Sequence, residues 1–339
     1  MEARTWRALI VGFIGAIALF VGLFVVVGPG QILDALTTAD PAFVAATLVF
    51  ALLWLGTWGL VLRTVLETLG VPLTVRRSFF IYASAVFLNN VTPFGQAGGE
   101  PVAALLISKV SDTRYETGLA GIATVDALNV VSSLSLVLVG VGYYATTAVV
   151  GERLLTAVGS AVALVALVGL FMYLVWRHQD AITDSLSVGV GKAVSRLPIG
   201  NSDPDTLRES LSQRMDRFFD HIERLATQRR RLAVALCLSL LGWLFQAAAL
   251  LVAFAAIGQS LPLAVALFVI PLGNLAGAAP LPGGLGGIET AFVALLVPTT
   301  GLPAATVTAA VLIYRGTIYW LPVLVGGGSM AAFSARSLA

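Results

Sequence analysis

The sequence predicts an all-α polytopic membrane protein with about six spanning helices and two re-entrant helical hairpins arranged as an inverted-topology repeat. Three observations predict it: low charge, long apolar runs, and two Gly/Pro-rich breaks of matching pattern. Of the 339 residues, 11% are charged and 58% are hydrophobic, whereas a soluble domain carries about 25% charged residues. Such a chain faces lipid over much of its surface, and we expect one transmembrane domain over residues 1–339.

Six apolar runs approach or exceed the roughly 20 residues that a helix needs to cross hydrocarbon. They span residues 8–27, 43–62, 118–141, 154–176, 232–257 and 305–325. The first run is long for a signal-peptide core and lacks a convincing cleavage site, so we interpret it as a retained helix. The alternation typical of β-barrel strands does not occur. The sequence therefore predicts a helix bundle.

Two further apolar segments, 78–109 and 264–297, are interrupted at residues 89–100 and 279–289. Neither arm of either segment is long enough to cross alone, so each is a broken span or a re-entrant hairpin. For the first segment, a single span places Arg4 and Arg7 on the opposite face from the basic loop 177–231. The positive-inside rule favours a cytoplasmic hairpin instead, with both chain termini cytoplasmic.

The two breaks share the motif Pro-x-Gly-x-x-Gly-x-Glu, at residues 93–100 and 282–289. Glu100 precedes Asp126 by 26 residues, as Glu289 precedes Arg315. In the predicted topology, repeat one (about 43–142) and repeat two (about 232–326) run in opposite directions, which in transporters places the substrate site at the repeat interface. Alternatively, the glycines and prolines only loosen membrane helices or allow close packing.

Broken backbone within hydrocarbon must be buried in protein or line a wet cavity. The second arm of each segment begins near paired glycines, so free N–H groups and a positive helix end are expected to point inward, where a phosphate can bind. A bidentate arginine contact completes such a site. The candidate substrate-binding residues are Asn89, Asn90, Thr92, Gln96, Gly98, Gly99, Glu100, Asp126, Gly284, Gly286, Gly287, Glu289 and Arg315.

Several of these residues have a structural alternative. Glu100 and Glu289 either cap half-helices or exchange protons and gate substrate, and their matched spacing favours the second role. Asp126 and Arg315 either contact substrate or neutralise each other as an ion pair. The amides either bind substrate or satisfy the broken backbone. The aromatic residues are interpreted as interfacial or packing groups: Trp54, Trp58, Tyr143, Tyr144 and Trp320.

The basic loop 177–231 contains apolar residues at helical spacing over 207–225 with arginines between them. This pattern predicts an amphipathic helix that lies on an anionic leaflet or packs under the bundle. One Cys and two His residues argue against a disulfide framework, a zinc site or a histidine-based triad. We expect no cofactor, no metal and no enzymatic activity.

Residues 89–100, residues 282–289 and the stretch from Tyr314 to Pro322 resemble the flippase-like transmembrane domain of lysylphosphatidylglycerol synthases and their stand-alone relatives. The resemblance implies translocation of phospholipids or glycosylated polyprenyl-phosphate lipids. The 339 residues contain no soluble aminoacyl-transfer domain, so we expect no synthesis of an aminoacyl lipid. This chain differs from the family in a further respect, because it carries Asp126 on a helix where relatives often have an arginine nearby.

The expected function is a flippase of the cell membrane that moves an anionic lipid or lipid-linked headgroup through a cavity between the hairpins. Two other classes stay open: an ion-coupled transporter of a small soluble solute, and an accessory subunit of a membrane glycosyltransferase that docks through the basic loop. The expected partners are membrane lipids and either further copies of the chain or such a glycosyltransferase. No nucleic-acid partner is expected.

Overall fold

The computed structural model describes residues 2–92, 96–147, 177, 227–279 and 281–338, and in these residues it is helical without strands. The first half comprises α1 (Glu2–Val27), α2 (Pro29–Thr37), α3 (Pro41–Thr68), α4 (Val75–Val91), α5 (Gln96–Val110) and α6 (Tyr115–Thr147). The second half comprises α7 (Arg229–Ala256), α8 (Leu263–Asn274), α9 (Gly287–Thr300) and α10 (Ala304–Leu338). Two 3-10 turns, Leu275–Ala278 and Pro282–Gly284, separate α8 from α9.

Helix boundaries follow local chemistry. The Asp40 side chain accepts a hydrogen bond from the Ala42 N–H at 2.8 Å, and Pro41 occupies the first turn of α3, where its missing N–H costs nothing. The Thr74 hydroxyl caps α4 at the Arg77 N–H. Gly301, at φ 70°, ends α9 in the left-handed conformation that glycine adopts without strain.

Five helices in the described residues are long and apolar enough to cross a membrane: Pro41–Thr68, Tyr115–Tyr144, Arg229–Ala256, Pro282–Thr300 and Ala304–Phe333. The helices over 14–27 and 29–37 add a sixth if they are one span, bent by 86°. The predicted polytopic helical fold is confirmed. The short helix α2 was not predicted, and the predicted span 154–176 and amphipathic helix 207–225 lie outside the described residues.

Both predicted breaks interrupt helices. Helices α4 and α5 have 17 and 15 residues and pack against each other, and each is shorter than the roughly 20 residues of a full span. The candidate span Pro282–Thr300 is regular only in the 14 residues of α9, because Gly283, Gly284 and Gly286 all have positive φ. The side from which each segment enters the bilayer stays a prediction.

Helices α3–α6 and α7–α10 pack in the same pattern. In the first half, α3 contacts α4 and α6, α4 contacts α5, and α5 contacts α6. In the second half, α7 contacts α8 and α10, α8 contacts α9, and α9 contacts α10. Between the halves, α3 packs on α7 along the core. The contact of α4 with α10 corresponds to the contact of α8 with α6. Exchanging the halves therefore preserves the contact pattern. Inversion of their topology in the membrane stays a prediction.

Glycines set the spacing between the halves. On α10, a Cβ at Gly326 would collide with the Ala83 carbonyl of α4, and on α6, a Cβ at Gly140 would lie 2.8 Å from the Ala264 carbonyl of α8. Small residues at such positions let membrane helices approach closely. The α4–α10 and α6–α8 contacts thus depend on residues that have no side chain.

Replacing Gly326 by alanine is expected to destabilise the protein by about 1–3 kcal/mol, the usual cost of overpacking. Gly328 lies two residues further along α10, and a Cβ there would have nothing within 4 Å, so Gly328→Ala is the matched control. Thermal unfolding of both variants in the same detergent measures the difference. Equal melting temperatures for the two variants contradict the close α4–α10 packing.

Candidate functional site

The two broken segments meet inside the bundle. The Tyr319 hydroxyl of α10 donates to the Asn90 carbonyl at 3.3 Å, and the Asn90 amide donates to the Tyr319 carbonyl at 3.4 Å. Gly283, in the second break, lies so close that a Cβ there would be 3.0 Å from the Asn90 carbonyl oxygen and would overlap the Tyr319 ring. The end of α4 therefore touches the second break.

Arg315 and Glu289 form a buried ion pair. Nε of Arg315 donates to Oε1 of Glu289 at 2.7 Å, with side chains 9% and 1% exposed. Nη2 of Arg315 donates to the Gly283 carbonyl at 3.2 Å, and the guanidinium lies 5.3 Å from the Tyr319 ring centroid. Arg315 is thus paired with Glu289, and the alternative that Asp126 neutralises it is wrong. The pairing also ties α10 to the second break.

Asp126 has a different partner. Its carboxyl group on α6 lies close enough to the Glu100 carboxyl group on α5 for the two to interact electrostatically. Both ionisable contacts link residues 26 apart, one within each half of the contact pattern. Corresponding positions therefore hold a carboxyl pair in the first half and an ion pair in the second.

The N-terminus of α9 is not free to bind a phosphate. The Gly286 N–H donates to Oε2 of Glu289 at 2.7 Å, so this carboxylate caps its own helix. A Cβ at Gly286 would lie 2.9 Å from the Ala16 carbonyl and 2.7 Å from Cβ of Leu19. Helix α1 therefore covers this helix end, contrary to the expectation of an inward-facing N-terminus. The geometry supports the capping role of Glu289 rather than the gating role.

At the first break, Gly99 serves close packing. A Cβ at Gly99 would collide with the side chain and backbone of Asn89, so the start of α5 lies directly against the end of α4. Gln96 and Gly98 belong to the first turn of α5. The loop 93–95 and the Gln96 side chain lie outside what the structure describes.

A cavity of about 620 Å³ lies beside these contacts. Five predicted residues line it: Asn89, Asn90, Glu100, Asp126 and Arg315. The other described candidates do not line it, namely Thr92, Gly99, Gly284, Gly286, Gly287 and Glu289. Further polar and aromatic residues of its wall were not predicted as site residues: Trp54, Trp58, Tyr82, Asn129, Ser133, Trp243, Gln246, Asn274 and Tyr319.

Trp54 and Trp58 were predicted to be interfacial or packing aromatics, and they are packed in the core, 8% and 2% exposed, where they also line the cavity. The two residues are four apart on α3, so they share one helix face. Trp243 and Gln246, three apart on α7, share another. In the sequence, the signal for these cavity residues was the spacing of amphipathic aromatic and amide side chains in the middle of the helices. Trp320, which is 54% exposed, fits the interfacial interpretation.

Within the described residues, no group of three or more His, Cys, Asp or Glu side chains could hold a metal ion. The ionisable groups at the cavity are instead arranged in the two contacts above. The resulting wall combines a guanidinium, two neighbouring carboxyl groups, amides and indoles. Such a wall can bind a polar headgroup by hydrogen bonds and ring contacts.

Fold and cavity together define a polytopic helical membrane protein with an internal cavity between two packed halves. The chain belongs to the family described as the lysylphosphatidylglycerol synthase TM region, whose sequence model matches residues 10–326.

Several curated relatives are similar over most of this chain. A UPF0104 membrane protein of Methanothermobacter thermautotrophicus is 29% identical over 337 residues, covering 94% of this chain and 92% of that protein. The UPF0104 membrane protein PH1989 of Pyrococcus horikoshii is 24% identical over 247 residues, covering 71% and 72%. Glycosyltransferase AglD of Haloferax volcanii is 26% identical over 343 residues, covering 91% of this chain and 51% of AglD. The similarity thus spans about half of that glycosyltransferase.

Proposed function

We propose that this protein is a flippase that carries the headgroup of a lipid or lipid-linked molecule across the membrane. The observation that carries the proposal is the cavity of about 620 Å³ where the two broken segments meet. Its volume lies within the roughly 300–1,000 Å³ of small-molecule sites. A cavity with buried polar groups inside an apolar bundle gives a headgroup a path that hydrocarbon does not.

Arg315 is the residue assigned to the phosphate of the substrate. Its Nε and Nη2 atoms each donate to the protein, but a guanidinium has five N–H donors. The N–H groups that these contacts leave can reach a phosphate oxygen without breaking the ion pair. Because Glu289 holds the guanidinium in place, the donors are oriented before the substrate arrives. The lipid chains then extend from the cavity towards the bilayer.

The similarity to AglD favours a second candidate, an accessory role for a membrane glycosyltransferase. In that role the chain binds a lipid-linked substrate or an enzyme without moving the lipid itself. The two functions differ in one measurable property, since only the flippase transfers headgroups between leaflets when it is the sole protein present.

Transport in proteoliposomes tests the proposal. The substrates are fluorescent short-chain lipids with phospholipid or isoprenyl-phosphate headgroups, and leaflet exchange is followed by chemical quenching from outside. Ser133→Trp narrows the cavity from α6, and we expect it to slow exchange at least about tenfold, a barrier increase of about 1.4 kcal/mol. Ser135→Trp is the matched control, because Ser135 lies on the same helix but outside the cavity wall.

If lipids exchange between leaflets at the same rate in protein-free and protein-containing vesicles, the flippase proposal is contradicted. Exchange that both tryptophan variants slow equally contradicts the cavity as the path. Movement of small soluble solutes with no lipid exchange supports the alternative class of solute transporter.

The proposed topology makes a separate prediction. In a Cys237→Ala background, cysteines are introduced in the first turn of α4 and directly after α5 as Arg77→Cys and Ser111→Cys. We expect an impermeant thiol reagent to label both from the cytoplasmic side only, because both positions lie beside basic residues that the positive-inside rule keeps inside. Labelling of Ser111→Cys from outside contradicts the re-entrant hairpin and the inverted repeat with it.

A further inference from the structure

We propose that the outer face of the α3–α4 pair carries a second binding site, which holds one anionic phospholipid as a resident ligand rather than as cargo. The site is a groove of about 660 Å³ between the two helices, which we call the outer groove. No residue that lines the outer groove also lines the cavity. The two are therefore separate, and the second site does not depend on lipid transport.

Glycines shape the outer groove. A Cβ at Gly56 on α3 would meet nothing within 4 Å, so this position leaves a gap in the helix surface. Three residues further along, a Cβ at Gly59 would lie 2.9 Å from Cα of Phe79, so α4 packs closely against α3 at that level. From Leu52 to Leu60 the groove extends about 12 Å along α3, at 1.5 Å per residue. Large apolar side chains form most of its wall: Leu52, Leu53, Leu60, Phe79 and Phe80.

The outer groove opens away from the bundle. Leu52 and Leu53 are 41% and 43% exposed, whereas Trp54 and Trp58, on the opposite face of α3, are buried beside the cavity. Because α3 is a candidate membrane span, its exposed apolar face lies against lipid. An acyl chain can enter such a groove from the bilayer and gains close packing there, which is what drives association between apolar surfaces inside a membrane.

One end of the outer groove is basic. Arg76, in the first turn of α4, lines this end, and Arg77 follows it, both with exposed side chains. Within the described ranges neither arginine forms a salt bridge, and the Glu67 carboxylate at the end of α3 is already paired with Arg63 at 2.7 Å. The N–H groups of Val75 and Arg76 begin the helix without partners inside it, and a helix N-terminus attracts anions. A phosphate here therefore meets a guanidinium and the positive end of a helix.

An apolar groove with a basic end fits an anionic amphiphile. A soluble phosphate gains nothing from the apolar wall, and a zwitterionic lipid brings its own ammonium group to the basic end. An anionic phospholipid uses both parts, with its phosphate at Arg76 and one acyl chain extending towards Leu52. Basic sites beside membrane helices bind anionic headgroups in this way. The predicted topology places this end in the cytoplasmic leaflet, whose surface is the negative one.

Native mass spectrometry of the delipidated full-length protein tests the inference. The probes are dioleoyl phosphatidylglycerol and dioleoyl phosphatidylcholine, titrated separately, and the measured quantity is the dissociation constant of the first bound lipid. We expect phosphatidylglycerol to bind at least about fivefold more tightly, the contribution of one arginine beside an anionic headgroup. Arg76→Gln is expected to remove this preference. Arg114→Gln, at an exposed arginine outside the groove, leaves it unchanged.

Gly56→Leu tests the apolar part of the site. Because a Cβ at Gly56 meets nothing within 4 Å, the leucine side chain fills the groove without disturbing the helix packing. We expect it to weaken the binding of both lipids severalfold. Gly142→Leu is the matched control, because Gly142 lies on the membrane helix α6 and a Cβ there also meets nothing within 4 Å.

Equal binding of the two lipids by the unaltered protein overturns the inference, and that comparison needs no variant. A preference for phosphatidylglycerol that Ser133→Trp removes, while Arg76→Gln leaves it intact, places the lipid in the cavity and overturns the outer groove. A dimer that Gly56→Leu dissociates without changing lipid affinity shows that a second copy occupies the groove instead. Leaflet exchange enters none of these outcomes, so the lipid site and the flippase proposal stand or fall separately.

Discussion

Arg315→Gln is expected to lower the free energy of unfolding by about 3–5 kcal/mol, the usual cost of leaving a buried charge without its partner. The Glu289 carboxylate is almost fully buried, and its Oε1 atom loses the Arg315 donor at 2.7 Å. The same substitution releases the Gly283 carbonyl, so the second break loses its tie to α10. Thermal and denaturant unfolding in detergent micelles measure the effect.

The double variant Arg315→Gln, Glu289→Gln separates pairing from packing. Because the second substitution removes the stranded charge, the double variant is expected to be more stable than Arg315→Gln alone. Glu67→Gln provides the control, since it breaks the partly exposed Arg63–Glu67 pair of α3, where about 0–1 kcal/mol is at stake. Strictly additive losses in the double-mutant cycle would falsify the ion pair as the stabilising contact.

Asp126→Arg is expected to fold with a stability within about 1 kcal/mol of the unaltered protein, although it places arginine inside a membrane helix. The contact pattern of the two halves makes Glu100 and Asp126 the counterparts of Glu289 and Arg315. An arginine at position 126 therefore meets the carboxylate of Glu100 and reproduces the ion pair of the second half. An unpaired arginine costs at least about 2.5–3.5 kcal/mol in mid-membrane.

Asn129→Arg is the matched control, because Asn129 lines the same cavity one turn further along α6. We expect Asn129→Arg to lower the free energy of unfolding by the full cost of an unpaired arginine, at least about 2.5–3.5 kcal/mol. Asp126→Arg is expected to abolish lipid exchange, since it removes one of the two neighbouring carboxyl groups and adds a fixed positive charge to the cavity. If both arginine variants are equally unstable, the two charged contacts are not equivalent and the repeat has another geometry.

Sequence reasoning predicted the fold class because solvent preference acts on each segment separately. Long apolar runs have to satisfy their backbone as helices in lipid, and these runs appear as α3, α6, α7 and α10. The repeated motif also located the two breaks. The shared spacing of 26 residues also marks two contacts in the structure, because Glu100 lies near Asp126 and Glu289 pairs with Arg315.

The pairing of charges was decided by tertiary structure. Arg315 pairs with Glu289 within its own half rather than with Asp126 across the halves, because helix packing, not polarity, sets which side chains come within 2.7 Å. The covering of the α9 N-terminus by Ala16 and Leu19 likewise depends on where α1 docks. Neither contact has a signature in local composition.

The amino-acid sequence by itself determined that this chain is a helical membrane protein with two interrupted segments, since hydropathy and glycine placement act over single segments. Only the tertiary structure decided which residues form the cavity. Trp54, Trp58, Trp243 and Gln246 face it because α3 and α7 pack together across the whole core. The physical reason is that a cavity is bounded by residues far apart in sequence, and their positions depend on the packing of all the helices at once.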